Sequence, residues 1–166
     1  RLLDEAEKGH TDFTPVVIGG AGILERVSKP TGIPVRSHVI SKEDDLKIEG
    51  LPKGVVLDEG VIENPGVVEP GKVQAVCGRA SMEFVRAAVK GVQKGIFDAI
   101  VTAPLNKEAL HLGGGGDFPG HTEMLGQFGC NWPAIVGSYL CGDLTVAIDF
   151  ECNCDVGVFG QAHFIQ

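Results

Sequence analysis

The chain has 166 residues, 43% of them hydrophobic and 6% aromatic, which suits one domain with a largely aliphatic core and two lobes as the outer limit. Its formal charge of −8 excludes a nucleic-acid surface, since binding phosphates needs a basic face. No run of about eighteen apolar residues marks a membrane span, no basic-then-apolar leader appears, and five cysteines (77, 130, 141, 152 and 154) lack framework spacing. A soluble protein of the cytoplasm, neither in nor on a membrane, is the expectation.

Residues 1–8, RLLDEAEK, read as a helix closed by Gly9. PVVIG (15–19) is a short apolar run between turn signals, the pattern of a strand buried on both faces. AGILERVSK then has helical spacing and is expected to stop at Pro30. VRSHVI (35–40) alternates like a strand, residues 41–54 read as loop, and GVVLDEG is another short strand. ENPGVVEPGKV is rich in turns. The strongest helix is ASMEFVRAAVKGVQKG, 80–95, with Met82, Val85, Ala88, Val89 and Val92 on one face and Gly95 at the C-cap.

FDAIVTAP follows as a buried strand, then NKEALHL and HTEMLGQF as short helices. PAIVGSYL and LTVAIDF are two more strands, with CGD between them suiting a hairpin. Alternation of this kind predicts an α/β protein with a largely parallel sheet flanked by helices and one antiparallel pair.

The segment VTAPLNKEALHLGGGGDFPGHTE (101–123) carries the chemistry. In open parallel sheets ligands bind beyond the carboxyl ends of strands, where helix N-termini face the crevice. Asn106 and Lys107 open one helix after such a strand, and could face a phosphate or carboxylate. Gly120, His121, Thr122 and Glu123 repeat the arrangement, with His121 and Thr122 offering hydrogen-bonding atoms. Gly113 to Gly116, read as a flexible link, would let the two clusters close on one small anionic substrate. The plainer possibility stays open: Thr122 as an N-cap, Glu123 as a first-turn acid, Lys107 solvated. The four glycines are not a phosphate loop, since neither G-x-x-x-x-G-K-[ST] nor a strand-proximal G-x-G-x-x-G is present. Asp58, Glu59 and Glu63 read as a solvated acidic edge, and His10, His38, His111 and His163 as structural or solvated.

FDAIVTAPLNKEALHL followed by DFPGHTEML closely resembles the 4-hydroxythreonine-4-phosphate dehydrogenase family of vitamin B6 biosynthesis. PVVIGGAGILER, PGKVQAVCGRASMEFVRAAV and LTVAI extend the resemblance, in order, from about residue 1 to 148. It implies an isocitrate/isopropylmalate-dehydrogenase-like fold, incomplete here, with a first lobe over about 1–105 and the start of a second over about 106–166. The implied activity is NAD-dependent, metal-assisted oxidation of 4-phosphohydroxy-L-threonine to a 3-keto acid that decarboxylates. The implied cofactors are NAD and a divalent metal: zinc, magnesium or cobalt. Family members are homodimers whose cleft takes residues from both subunits.

Carried across, His121 and Thr122 match the substrate-binding pair, and Asn106 and Lys107 match the cleft wall. The catalytic and cofactor-binding residues stay unassigned. The resemblance also exposes departures. About half of the family's chain is expected to be missing, including an amino-terminal Gly-Asp-Pro segment and two metal histidines. Where the family has a Thr-Thr-His-Ile-Pro segment, this chain reads DFECNCD, and Cys152 falls at the position of a metal-binding histidine. Thiolate is a good zinc ligand, but C-x-C without a second pair is a poor zinc signature and better suits buried, inert cysteines or a divergent tail. The alternatives are a sister dehydrogenase acting on another phosphorylated hydroxy acid such as 4-phosphoerythronate, a more distant phosphate acyltransferase, and an inactive substrate-binding remnant.

Overall fold

The structure, a computed structural model, describes residues 8–9, 13–33, 35, 38–41, 54–116, 118–129, 135–137, 147–150 and 157–159. The chain divides into two compact units, Arg1–Gly71 and Lys72–Gln166.

The first unit holds β1 (Val16–Ile18), α1 (Ala21–Thr31), β2 (His38–Ile40), β3 (Val55–Leu57) and a 3₁₀ turn (Pro65–Val67). The strands form a parallel sheet in the order β1-β3-β2. Strand β3 is central, and Val55, Val56 and Leu57 are all 0% exposed. Fully burying such side chains contributes roughly 1.5–3 kcal/mol each. The strand buried on both faces is therefore β3. Strand β1, expected in that role, lies at an edge and is half-buried.

Helix α1 does not stop at Pro30 but carries that proline in its last turn. Gly32 ends it, in the left-handed region at φ 65°, with its N–H donating to the Ser28 carbonyl at 2.9 Å. Glycine alone adopts that conformation without a Cβ penalty, so it marks the stop more firmly than proline does. At the other end of α1 the Ala21 N–H donates to Asp58 Oδ2 at 2.8 Å, and the Gly60 N–H donates to Asp58 Oδ1 at 2.9 Å. Asp58 is thus a long-range cap and not part of a solvated edge. Arg26 donates to the Pro65 carbonyl at 2.6 Å and to that of Val68, fastening α1 to the 3₁₀ turn.

The second unit holds α2 (Ala75–Gln93), β4 (Ala99–Val101), α3 (Lys107–Leu112), α4 (His121–Gly129), β5 (Ile135–Gly137), β6 (Ala147–Phe150) and β7 (Gly157–Phe159). Helix α2 starts five residues earlier than its apolar periodicity suggested. Its expected face holds: Met82, Val85 and Val89 are buried with Ile100, Leu110, Met124 and Leu125, and Ala88, Val92, Leu105, Phe118 and Phe128 pack around them. The glycine stop holds as well. The Gly95 N–H (φ 71°) donates to Val92 O and the Ile96 N–H to Gly91 O, both at 2.8 Å, which is the Schellman arrangement.

The sheet of this unit runs β4-β7-β6-β5, with β4 parallel to β7 and the other pairs antiparallel. The expected antiparallel pair is β5 with β6. Strand β7 was not foreseen. Strand β4 is an edge strand and not a buried one: Ile100 is 6% exposed, but Val101 is 74% exposed. The architecture is α/β, with a parallel sheet in the first unit and a mixed one in the second.

Candidate active site

Strand β4 leads into residues 102–106, then α3, then the glycine run, then α4. Asn106 is the N-cap of α3: its Oδ1 accepts from the Ala109 N–H at 2.8 Å, and its carbonyl accepts from the Leu110 N–H at 3.0 Å. Its side-chain oxygen is thereby spent on the backbone, and the amide nitrogen is what Asn106 has left for a ligand. Lys107, the first residue of α3, is exposed.

The glycine run is a packed turn and not the flexible link expected. Leu110 accepts from the Gly115 N–H at 2.9 Å, and Gly115 in turn accepts from the Phe118 N–H at 3.1 Å. Gly113 and Gly115 are buried. A Cβ on Gly113 would stand 2.4 Å from the Arg79 nitrogen in α2, and one on Gly115 would stand 2.8 Å from Leu110. Gly114, at φ 99°, needs a conformation that side chains resist. Gly78 of α2 faces the same seam: a Cβ there would lie 1.7 Å from the Ala109 carbonyl oxygen. These glycines let α3 and its following turn lie directly on the backbone of α2.

Helix α4 packs on the same core through Met124, 0% exposed, and Leu125, 5% exposed. Phe118 and Phe128 meet edge to face at 5.5 Å, and the Arg86 guanidinium sits 4.7 Å from the Phe128 ring centre. Gln93 of α2 donates to the Phe128 and Gly129 carbonyls, at 3.3 and 3.2 Å, satisfying acceptors at the end of α4. Both short helices are therefore fixed against one rigid helix.

At the start of α4 the Gly120 carbonyl accepts from the Met124 N–H at 3.3 Å. The cap position is thus Gly120, and Thr122 lies inside the first turn and is not the cap. Glu123 folds back toward the helix start, its Oε2 only 3.5 Å from where a Cβ on Gly120 would sit. His121 is half-buried, and the Ala103 backbone, two residues beyond β4, lies close enough to bear on its ring. Burial holds its pKa below the ordinary value of 6.5, and the Ala103 carbonyl opposes that in part.

Hence the chain brings His121 onto the loop that leads to Asn106 and Lys107. The Ala103 backbone went unseen in the sequence because a backbone group has no residue signature. Cys152, with Cys154, His10 and His163, lies outside the described residues. Among the described residues no three His, Cys, Asp or Glu side chains are placed to hold a metal ion. Nor does the glycine turn before α1 fit a dinucleotide phosphate, because Asp58 already occupies that helix start. No described helix is long and apolar enough to cross a membrane.

A family model described as pyridoxal phosphate biosynthetic protein PdxA matches residues 11–148. The D-threonate 4-phosphate dehydrogenase of Cupriavidus necator is 40% identical over 113 residues, covering 67% of this chain and 32% of its own length. That of Salmonella typhimurium is 36% identical over 120 residues, covering 72% and 36%. A crystal structure of 4-hydroxythreonine-4-phosphate dehydrogenase from Burkholderia phymatum superposes with a TM-score of 0.62 at 34% identity, over 76% of this chain and 38% of that one. The enzyme of that name from Klebsiella pneumoniae gives 0.58 at 36% identity, over 68% and 34%. The matched stretch covers about a third of the length of these relatives.

Proposed function

This chain belongs to the PdxA family of pyridoxal phosphate biosynthetic proteins, and we propose that it supplies the substrate clamp of a dehydrogenase for a 4-phosphorylated hydroxy acid. The observation that carries this reading is the half-buried His121 ring beside the Ala103 backbone. That proximity brings together the two polar clusters of the segment on which the family resemblance rests. His121 and Thr122 on α4, with Asn106 and Lys107 at α3, are the proposed substrate contacts.

In the proposed reaction the secondary alcohol at C3 loses a hydride and its hydroxyl proton, giving a 3-keto acid that decarboxylates. NAD would take the hydride, and a divalent metal would lower the alcohol's pKa. The described residues assemble a site for neither group, so both belong to the proposal, as do a homodimer and a cytoplasmic location. D-threonate 4-phosphate stands first as substrate because curated relatives bear that name. The second reading is 4-phosphohydroxy-L-threonine in vitamin B6 synthesis, favoured by the names of the solved structures. The two compounds share the 4-phosphate, the C3 hydroxyl and the carboxylate, and differ in a hydroxyl or an ammonium at C2.

The test is NADH formation by the protein carrying this chain, with each compound and with zinc, magnesium or cobalt supplied. Metal-dependent turnover, faster with D-threonate 4-phosphate, is expected. Binding without turnover would favour the inactive remnant. A folded protein that binds neither compound would sink the proposal.

A further inference from the structure

His121 stands on the core-facing stripe of α4. Positions 121, 124, 125 and 128 fall on one side of a helix, and Met124 and Leu125 are buried there with Phe128 packed against the same cluster. Phe128 lies about 10 Å along the axis from His121. Only Pro119 and Gly120 separate His121 from Phe118, yet the Phe118 ring reaches Phe128, with the ring planes 66° apart. The chain therefore doubles back alongside α4 before turning into it, and Phe118 ties the entry of the helix to its far end.

Both rings are themselves held. The Phe118 N–H donates to the Gly115 carbonyl at 3.1 Å. On the α2 side the Arg86 guanidinium lies over the Phe128 ring, and Glu83 Oε1 orients it at 3.3 Å. Resting on the function proposed above, we propose that Phe118, Phe128 and Arg86 form a positioning clasp: it sets where the start of α4, with His121 and Thr122, stands against the loop that carries Asn106 and Lys107. The three residues thereby set affinity for the hydroxy acid through α4. The chemistry of the clasp is specific. An aliphatic side chain fills the same space as Phe118 but offers no ring edge to Phe128, and Arg86 needs its charge to hold the ring face.

The experiment is calorimetric titration of D-threonate 4-phosphate into the protein carrying this chain and its Phe118→Leu, Arg86→Ala and Arg86→Lys variants. Hydrogen exchange is read in each at the Met124 amide, whose bond to the Gly120 carbonyl closes the start of α4. The Arg86 side chain is 43% exposed, so its variants leave the core intact. Phe118→Leu and Arg86→Ala should each weaken binding about tenfold and quicken Met124 exchange, and Arg86→Lys should restore both. Val85→Ala removes core packing away from the clasp; it should lower the urea midpoint and leave affinity at the parent value. Equal weakening by Val85→Ala would reduce the clasp to ordinary packing and overturn the proposal. Parent affinity in both Phe118→Leu and Arg86→Ala would overturn it too and leave the function intact. A parent protein that binds no D-threonate 4-phosphate would overturn the function instead. Met124 exchange then decides the clasp alone, and equal exchange in parent and variants would overturn it.

Discussion

Substituting Gly78→Ala places a methyl group 1.7 Å from the Ala109 carbonyl oxygen, 2.2 Å from its carbon and 2.7 Å from the Leu110 nitrogen. All three are backbone atoms, so no rotamer can relieve the clash. Restoring a normal contact needs on the order of 1.5 Å of separation between α2 and α3. That movement would lift Leu110, 0% exposed, from the cluster it shares with Met82 and Met124. Overpacking of this kind costs about 1–3 kcal/mol, and a clash between backbones belongs at the upper end. Alanine's better helix propensity returns about 1 kcal/mol. The net expectation is a loss of about 2 kcal/mol, which lowers the urea midpoint by about 1 M for an m-value near 2 kcal/mol/M. Circular dichroism in urea reads this directly. Gly116→Ala is the control: nothing lies within 4 Å of its Cβ position, and a surface change there should stay within about 0.5 kcal/mol. A Gly78→Ala protein as stable as the parent would refute the close α2–α3 seam.

Three further outcomes are expected. Asn106→Ala should cost about 1 kcal/mol through loss of the bond to the Ala109 N–H, while Asn106→Asp should keep that cap; urea unfolding distinguishes them. Asp58→Ala should destabilise the first unit by about 1–2 kcal/mol, since it strands the amides of Ala21 and Gly60, and amide hydrogen exchange should quicken at the start of α1. His121, with its folded pKa below 6.5, contributes no pH dependence where both states are neutral. As pH falls through 6.5 toward the folded pKa the unfolded chain binds the proton first, so stability declines and then levels off. His121→Gln should remove that decline, and a stability difference between the two proteins that is flat over this window would contradict it.

What the sequence made legible was local. The three- and four-residue spacing of Met82, Val85 and Val89 located the core face of α2, because burial demands that periodicity. Gly95 located the stop of α2 because a left-handed residue excludes most side chains. The Asn106 and His121 helix starts were placed correctly for the same kind of reason. Misreadings arose wherever the cause lay far along the chain. Four consecutive glycines look flexible until Gly78, thirty-five residues before Gly113, supplies the backbone they pack on. Asp58 looks like surface acid until the fold sets it on the start of α1, thirty-seven residues away. Val101 looks like core until β4 turns out to be an edge. The neighbour of the His121 ring is the Ala103 backbone, which any residue could have supplied.

The most direct test of the central claim is calorimetric titration of D-threonate 4-phosphate into the parent protein and into His121→Ala and Lys107→Ala. If the two clusters form one clamp, the parent binds and each variant weakens binding by about tenfold or more, the roughly 1.4 kcal/mol of one hydrogen bond involving a charged or committed group. Equal affinity in all three proteins would contradict the clamp and leave residues 101–123 as a helix-packing segment.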